Sequence, residues 1–95
     1  MGLAIYAEGH AHNRLGSTFD GVEAPFLRLC RSAPRESLRW GVMQYGDTYF
    51  NRAQLERLVE ELEALPPDRP VIVEEVLRLA RLAIRNAGYL HVIGD

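Results

Sequence analysis

The sequence predicts a small α+β domain, in which a small sheet including the N- and C-terminal strands packs against an antiparallel helix pair. Three observations predict it. Leu3–His10 alternates with period two, and Tyr89–Ile93 (YLHVI) closes the chain with a β-rich apolar run. Between them, the segment after Asn51 and the segment Val71–Ala87 repeat apolar residues at helical spacing. The linker from Pro66 to Pro70 is short, and short linkers make consecutive helices antiparallel neighbours.

In the first strand, Leu3, Ile5 and Ala7 alternate with Ala4, Tyr6 and Glu8, and Gly9 ends the run. His12–Gly21 (HNRLGSTFDG) is polar and rich in turn formers, which predicts a surface loop. Glu23–Ser32 predicts a short helix: Phe26, Leu27, Leu29 and Cys30 share a face, Pro25 suits its first turn, and Pro34 stops it. Leu38–Tyr45 (LRWGVMQY) alternates well enough for a strand, although Gly41 weakens it.

Tyr45–Leu65 (YGDTYFNRAQLERLVEELEAL) carries the densest signal. Gly46-Asp47 predicts a turn in which the Asp47 carboxylate accepts backbone N–H groups. Asn51 is a good N-cap, and Gln54 three residues on completes a capping-box pattern. Phe50 and Leu55 fit a hydrophobic staple across the helix start, which leaves Tyr49 pointing outward. Leu55, Leu58, Val59, Leu62 and Leu65 form one apolar stripe. The last helix is apolar over more than half its circumference, and Gly88 reads as its C-cap. Its polar side carries Arg78, Arg81 and Arg85, opposite in charge to Glu56, Glu60, Glu61 and Glu63 of the preceding helix.

Ninety-five residues make one domain, 1–95, with one core and little room for a deep cleft. The formal net charge of −2 gives no electrostatic reason to expect nucleic acid as a partner. All eleven basic residues are arginine, so every cation other than histidine is a planar fork suited to carboxylates. A single cysteine, Cys30, excludes a disulfide framework and reads as a small buried hydrophobe. No apolar run approaches the length of a membrane span, and the start MGLAIYAEGH lacks a basic signal-peptide head. The expectation is a cytoplasmic protein without a membrane partner.

Two constellations bear on chemistry. His10 and His12 form an H-x-H, and His91 on the last strand supplies a third imidazole if the terminal strands pair. With Asp47, Glu8 or Asp95 in the shell, such a set would activate water as a small metal-dependent hydrolase. The competing reading has two exposed loop histidines and one half-buried strand histidine, with no metal and no cofactor. The second constellation is a surface. Asp47, Tyr49, Arg52, Glu56, Glu60, Glu63 and His91 combine charge with an exposed aromatic near one helix start, the composition of a protein-binding patch.

MGLAIY at the start, YGDTYFNRAQLERLVEELEAL in the middle and HVIGD at the end resemble a family of small uncharacterised bacterial proteins. Its shared pattern is Gly-Asp-Thr-x-Phe-Asn-x-x-Gln leading into an acidic helix, with a terminal Ile-Gly-Asp. The resemblance rests on Tyr45–Leu65 and His91–Asp95. It attaches no activity, but small acidic proteins of this kind are associated with immunity to secreted toxins. The expectation is therefore a non-enzymatic module that binds another protein, specifically an immunity protein neutralising a bacterial toxin domain. The alternatives are the three-histidine hydrolase and a structural homodimer that packs the over-apolar last helix across a two-fold axis. The two matching segments are expected to meet in space, with Arg52 reaching Asp95.

Overall fold

The computed structural model describes residues 2–94. Two layers make up the fold. The sheet contains β1 (Ala4–Glu8), β2 (Arg14–Phe19), β3 (Gly46–Phe50) and β4 (Tyr89–Gly94), in the order β2-β1-β4-β3. Every pairing is antiparallel, so the first and last strands lie side by side in the middle. Helices α2 (Arg52–Glu63) and α3 (Val71–Arg85) pack together and cover one face, and α1 (Pro25–Arg31) packs beside α3. This is the α+β arrangement the sequence predicts.

Burial follows the alternation of the strands. Ile5, Ala7, Leu90, Val92 and Phe50 point toward the helices and are buried. Leu55, Leu58 and Leu62 of α2 and Val73, Val76, Leu77, Leu79, Ala80 and Ala83 of α3 complete that core. The broad apolar surface of α3 is used up within the chain, because α3 contacts β1, β2, β4, α1 and α2. Most of the apolar surface of α3 is thus accounted for without a second copy, although Val71 at its start stays exposed.

The start of α2 is as expected. Gln54 N–H donates to the Asn51 side chain at 3.0 Å, and Asn51 N–H donates to Gln54 Oε1 at 2.9 Å. Phe50 and Leu55 are both buried in the core. The Asp68-Arg69-Pro70 turn adds a C-terminal cap: Arg69 donates to the carbonyls of Leu62, Glu63 and Leu65 and pairs with Glu74. A cation here offsets the negative end of the α2 dipole.

Three segments differ from the sequence reading. His12–Gly21 contains β2 rather than a loop throughout. Its pattern is faint because Gly16 occupies a helix-facing position where a Cβ would stand 3.0 Å from the Leu79 side chain, and because the register shifts at Leu15. A small residue lets α3 settle on this strand. Leu38–Tyr45 holds a short 3-10 helix, Arg39–Gly41, instead of a strand. Its polar backbone groups are met by side chains: the Glu61 carboxylate accepts from the N–H of Leu38 and Arg39, and Arg31 donates to the carbonyls of Trp40 and Val42. Glu61 therefore belongs to a structural bracket with Arg39 and not to a free acidic face. Finally, Gly46-Asp47 begins β3 and is not a turn in which Asp47 caps backbone N–H groups.

Asp20 performs the capping the sequence did not reveal. Its buried carboxylate accepts from the N–H of Phe26 at 2.7 Å and of Leu27 at 2.8 Å, which satisfies the first turn of α1 from outside the helix.

Candidate functional site

The helices cover one face of the sheet and leave the other open. Because β1 and β4 pair with Tyr6 opposite His91 and Glu8 opposite Tyr89, these four residues share the open face. β3 brings Tyr49 opposite His91 and Asp47 opposite Ile93 on the same face. β2 adds Phe19 and Ser17, and beyond the register shift Arg14 opposite Glu8. A row of rings and charges thus crosses all four strands.

Glu8 organises this row. It is 4% exposed, so its carboxylate would be costly to keep ionised without donors. His91 Nδ1 donates to Oε2 at 2.8 Å and His12 Nδ1 donates to Oε1 at 2.9 Å. Burial pushes the Glu8 carboxyl up, but the two imidazole hydrogen bonds and the imidazole charges together outweigh it and hold the group below its ordinary value. Glu8 is therefore an anion at neutral pH, and it fixes the tautomer of both histidines. With Nδ1–H committed, the neutral ring carries its lone pair on Nε2.

The rings then stack. Tyr49 lies over His91 with centroids 4.0 Å apart and planes 15° apart. Tyr89 lies over His12 at 4.6 Å and 5°. The Arg14 guanidinium sits 3.8 Å above the Tyr6 ring. Tyr49 remains 47% exposed while it shields His91, which is 7% exposed. Partial desolvation and then the charges of Glu8 and Asp47 raise the Tyr49 phenol above its usual range, so it stays a neutral donor at neutral pH. At the far corner an apolar depression of about 370 Å³ is lined by Leu3, Phe19, Val22 and Ile93, with Phe19 and Val22 themselves exposed.

Of the residues expected at a binding surface, Asp47, Tyr49 and His91 come together here. Arg52, Glu56, Glu60 and Glu63 lie on α2, in the layer on the other side of the sheet. Arg52 is 4.0 Å from Glu56, and Glu63 pairs with Arg81 of α3. The expected contact from Arg52 to Asp95 lies outside the described residues. The two segments that carry the sequence resemblance do meet, since Gly46–Phe50 pairs with Leu90–Gly94.

The three histidines do not converge. His10 is exposed on the turn after β1, and no hydrogen bond or ring contact joins it to His12 or His91 among the described residues. His12 and His91 both spend Nδ1 on Glu8. Among the described residues no group of three His, Cys, Asp or Glu side chains is placed to hold a metal ion. Cys30 is fully buried and its thiol is pushed up to about 12, chiefly by desolvation, which suits a core residue.

Arg14 is the residue of this face that the sequence does not single out, because β2 lacks a strand pattern; Tyr6 and Glu8 share a side of the first strand in the sequence, but their neighbour across β2 is not legible there. Glu8 carried one usable signal, an acid placed inside an apolar strand. No protein-family model, no curated protein and no solved structure matches this chain.

Proposed function

We propose that this chain is a non-enzymatic protein-binding module that works through the open face of its sheet, and specifically that it is an immunity protein neutralising a bacterial toxin domain. One observation carries the binding reading: an aromatic, charged sheet face held by directed contacts has no covering element among the described residues. Tyrosine stacked on a buried, hydrogen-bonded imidazole presents contact area at small entropic cost, because the ring is already held. Asp47 and Tyr49 on this face are the proposed contacts, His91 supports them from beneath, and the apolar corner beside Phe19 suits an apolar partner side chain. Arg52, Glu56, Glu60 and Glu63 form a separate patch on α2 in this proposal.

Toxin neutralisation is supported by the sequence resemblance alone. Cytoplasmic residence goes with it; the structure adds that no helix among the described residues is long and apolar enough to cross a membrane. The hydrolase alternative loses support because His10 stands apart from His12 and His91 and the three do not form one ligand set.

The test is to identify the genes beside this one and to co-express the chain with any toxin domain they encode. Protection of the host, abolished by Tyr49→Ala/Asp47→Ala in a protein that still folds, is the expected result. Equal protection by the double variant would remove the open face from the proposal, and absence of protection together with chelator-sensitive hydrolysis would replace it with the enzyme.

A further inference from the structure

His91 has one bonded nitrogen and one stranded one. Nδ1 is held by Glu8 at 2.8 Å, while Nε2 is buried with no hydrogen-bond partner among the described residues, 3.5 Å from Asp47 Oδ1. In the neutral ring fixed by Glu8, that nitrogen is an acceptor. It faces a second acceptor, and no hydrogen lies between them. A buried polar atom left in this state is destabilising. One proton on Nε2 turns the pair into a charge-assisted hydrogen bond or close ion pair.

We propose that His91 is a proton-operated latch: when it is protonated it bridges Glu8 of β1 and Asp47 of β3, and when it is neutral Asp47 is released. The groups around the ring favour this. β1 contributes the Glu8 carboxylate and the Tyr6 ring, whose centroid is 6.3 Å away. β3 contributes the Asp47 carboxylate and the Tyr49 face at 4.0 Å, and an aromatic face suits a cation. Opposing groups are His12, which shares Glu8, and Arg14 of β2, which sits over Tyr6. Tyr89, on the same strand, stacks on His12 and not on His91. The helices lie on the other side of the sheet. Two fixed anions thus face the ring against one fixed cation and one shared histidine.

The latch ties an edge strand to the centre of the sheet. β3 has only β4 beside it, so the side-chain bridge across β4 to β1 is a second tether. A further consequence, which rests on the proposed binding role, is that Asp47 becomes less available to a partner in mild acid. The latch itself is independent of that role and is tested on the free protein.

Long-range proton–nitrogen spectra of the histidine side chains, recorded from pH 8 to pH 5 on wild type and Asp47→Asn, read it directly. At pH 8 Nδ1 of His91 should carry the proton and Nε2 should show the shift of a bare acceptor. On acidification Nε2 gains its proton. The midpoint should fall by at least about half a unit in Asp47→Asn, roughly a threefold loss of proton affinity, while that of His10 stays put. Asp47 is largely exposed, with its side chain at 58%, so the variant should fold. A second readout needs no variant: the Asp47 carboxyl carbon in wild type should report the His91 midpoint, alongside slower exchange of β3 amides below it. Identical midpoints in the two proteins, an Asp47 carbon indifferent to His91, or a proton on Nε2 already at pH 8 would each overturn the latch.

Discussion

The two faces of the sheet are built from the same four strands by opposite rules. Toward the helices, Ile5, Ala7, Leu90, Val92 and Phe50 are aliphatic or aromatic residues with no polar obligations, and shape alone seats them. Away from the helices, Tyr6, Glu8, His91 and Tyr49 are seated by directed contacts: two imidazole hydrogen bonds to one carboxylate and stacked rings above them. One face gains stability in proportion to the apolar area it removes from water. The other offsets the cost of a buried charge with hydrogen bonds and leaves a tyrosine half in solvent. Such a face removes less apolar area from water than the helix side does, which leaves it the better candidate for use by a partner.

Truncation on the helix side should have the largest effect. Leu90 is fully buried, and its neighbour His91 points the other way. Leu90→Ala is expected to cost about 2–5 kcal/mol in a denaturant titration, through lost transfer energy and the cavity left behind. A loss below 1 kcal/mol would erase the distinction between the faces.

Glu8→Gln measures the open face at its buried carboxylate. At pH 7 the expected cost is about 1–3 kcal/mol, because the amide cannot accept from both imidazole N–H groups. The pH dependence has a definite sign. The Glu8 carboxyl is held below its ordinary value in the folded chain. Its contribution is therefore present above the unfolded carboxylate pKa of about 4.3 and is lost as pH falls through the lower folded value. The gap between wild type and Glu8→Gln should be present at pH 7 and close below about pH 4. A gap that widened below pH 4 would mean that Glu8 is not ionised in the folded protein.

The helix side was also the more legible. A stripe such as Leu55, Leu58 and Leu62 after Asn51 reports both helix and buried face, since pattern and packing agree. The sheet was legible only at its ends. β2 and β3 are edge strands with little apolar content on either face, so neither Arg14–Phe19 nor Gly46–Phe50 carries the alternation that betrays a half-buried strand. The site suffered accordingly: Asp47, Tyr49 and His91 could be named as neighbours, but Glu8 as their organiser and Arg14 over Tyr6 depend on strand pairings that no local pattern shows. Even the end of α3 holds a displaced signal. Gly88 was expected to take the left-handed cap position, yet Ala87 takes it, with φ +52°, and the N–H groups of Ala87 and Gly88 close the helix onto Ile84 and Ala83. Gly88 is needed one place later, because a Cβ there would stand 1.8 Å from the Glu8 carbonyl oxygen. Ala87→Gly should therefore stabilise the protein by about 1 kcal/mol, raising its melting temperature, whereas Gly88→Ala should disturb the backbone beneath Glu8.

The smallest expected effect tests whether the outer rim of the open face is held by directed contacts as its centre is. Arg14 is exposed, and its guanidinium lies 3.8 Å above the Tyr6 ring with no carboxylate paired to it among the described residues. Its attraction comes from the ring quadrupole, for which exposed pairs are worth about 0.5–1 kcal/mol. A simple surface charge effect would be of similar size, so one variant cannot separate the two. A double-mutant cycle of Arg14→Gln and Tyr6→Leu can, because the charge effect survives loss of the ring and the face contact does not. A coupling of at least about half a kcal/mol, little changed between 0.05 M and 0.5 M salt, is expected. Coupling near zero would restrict the directed contacts to the Glu8–His91–Tyr49 centre and leave β2 attached by its backbone ladder and by the packing of α3 at Gly16.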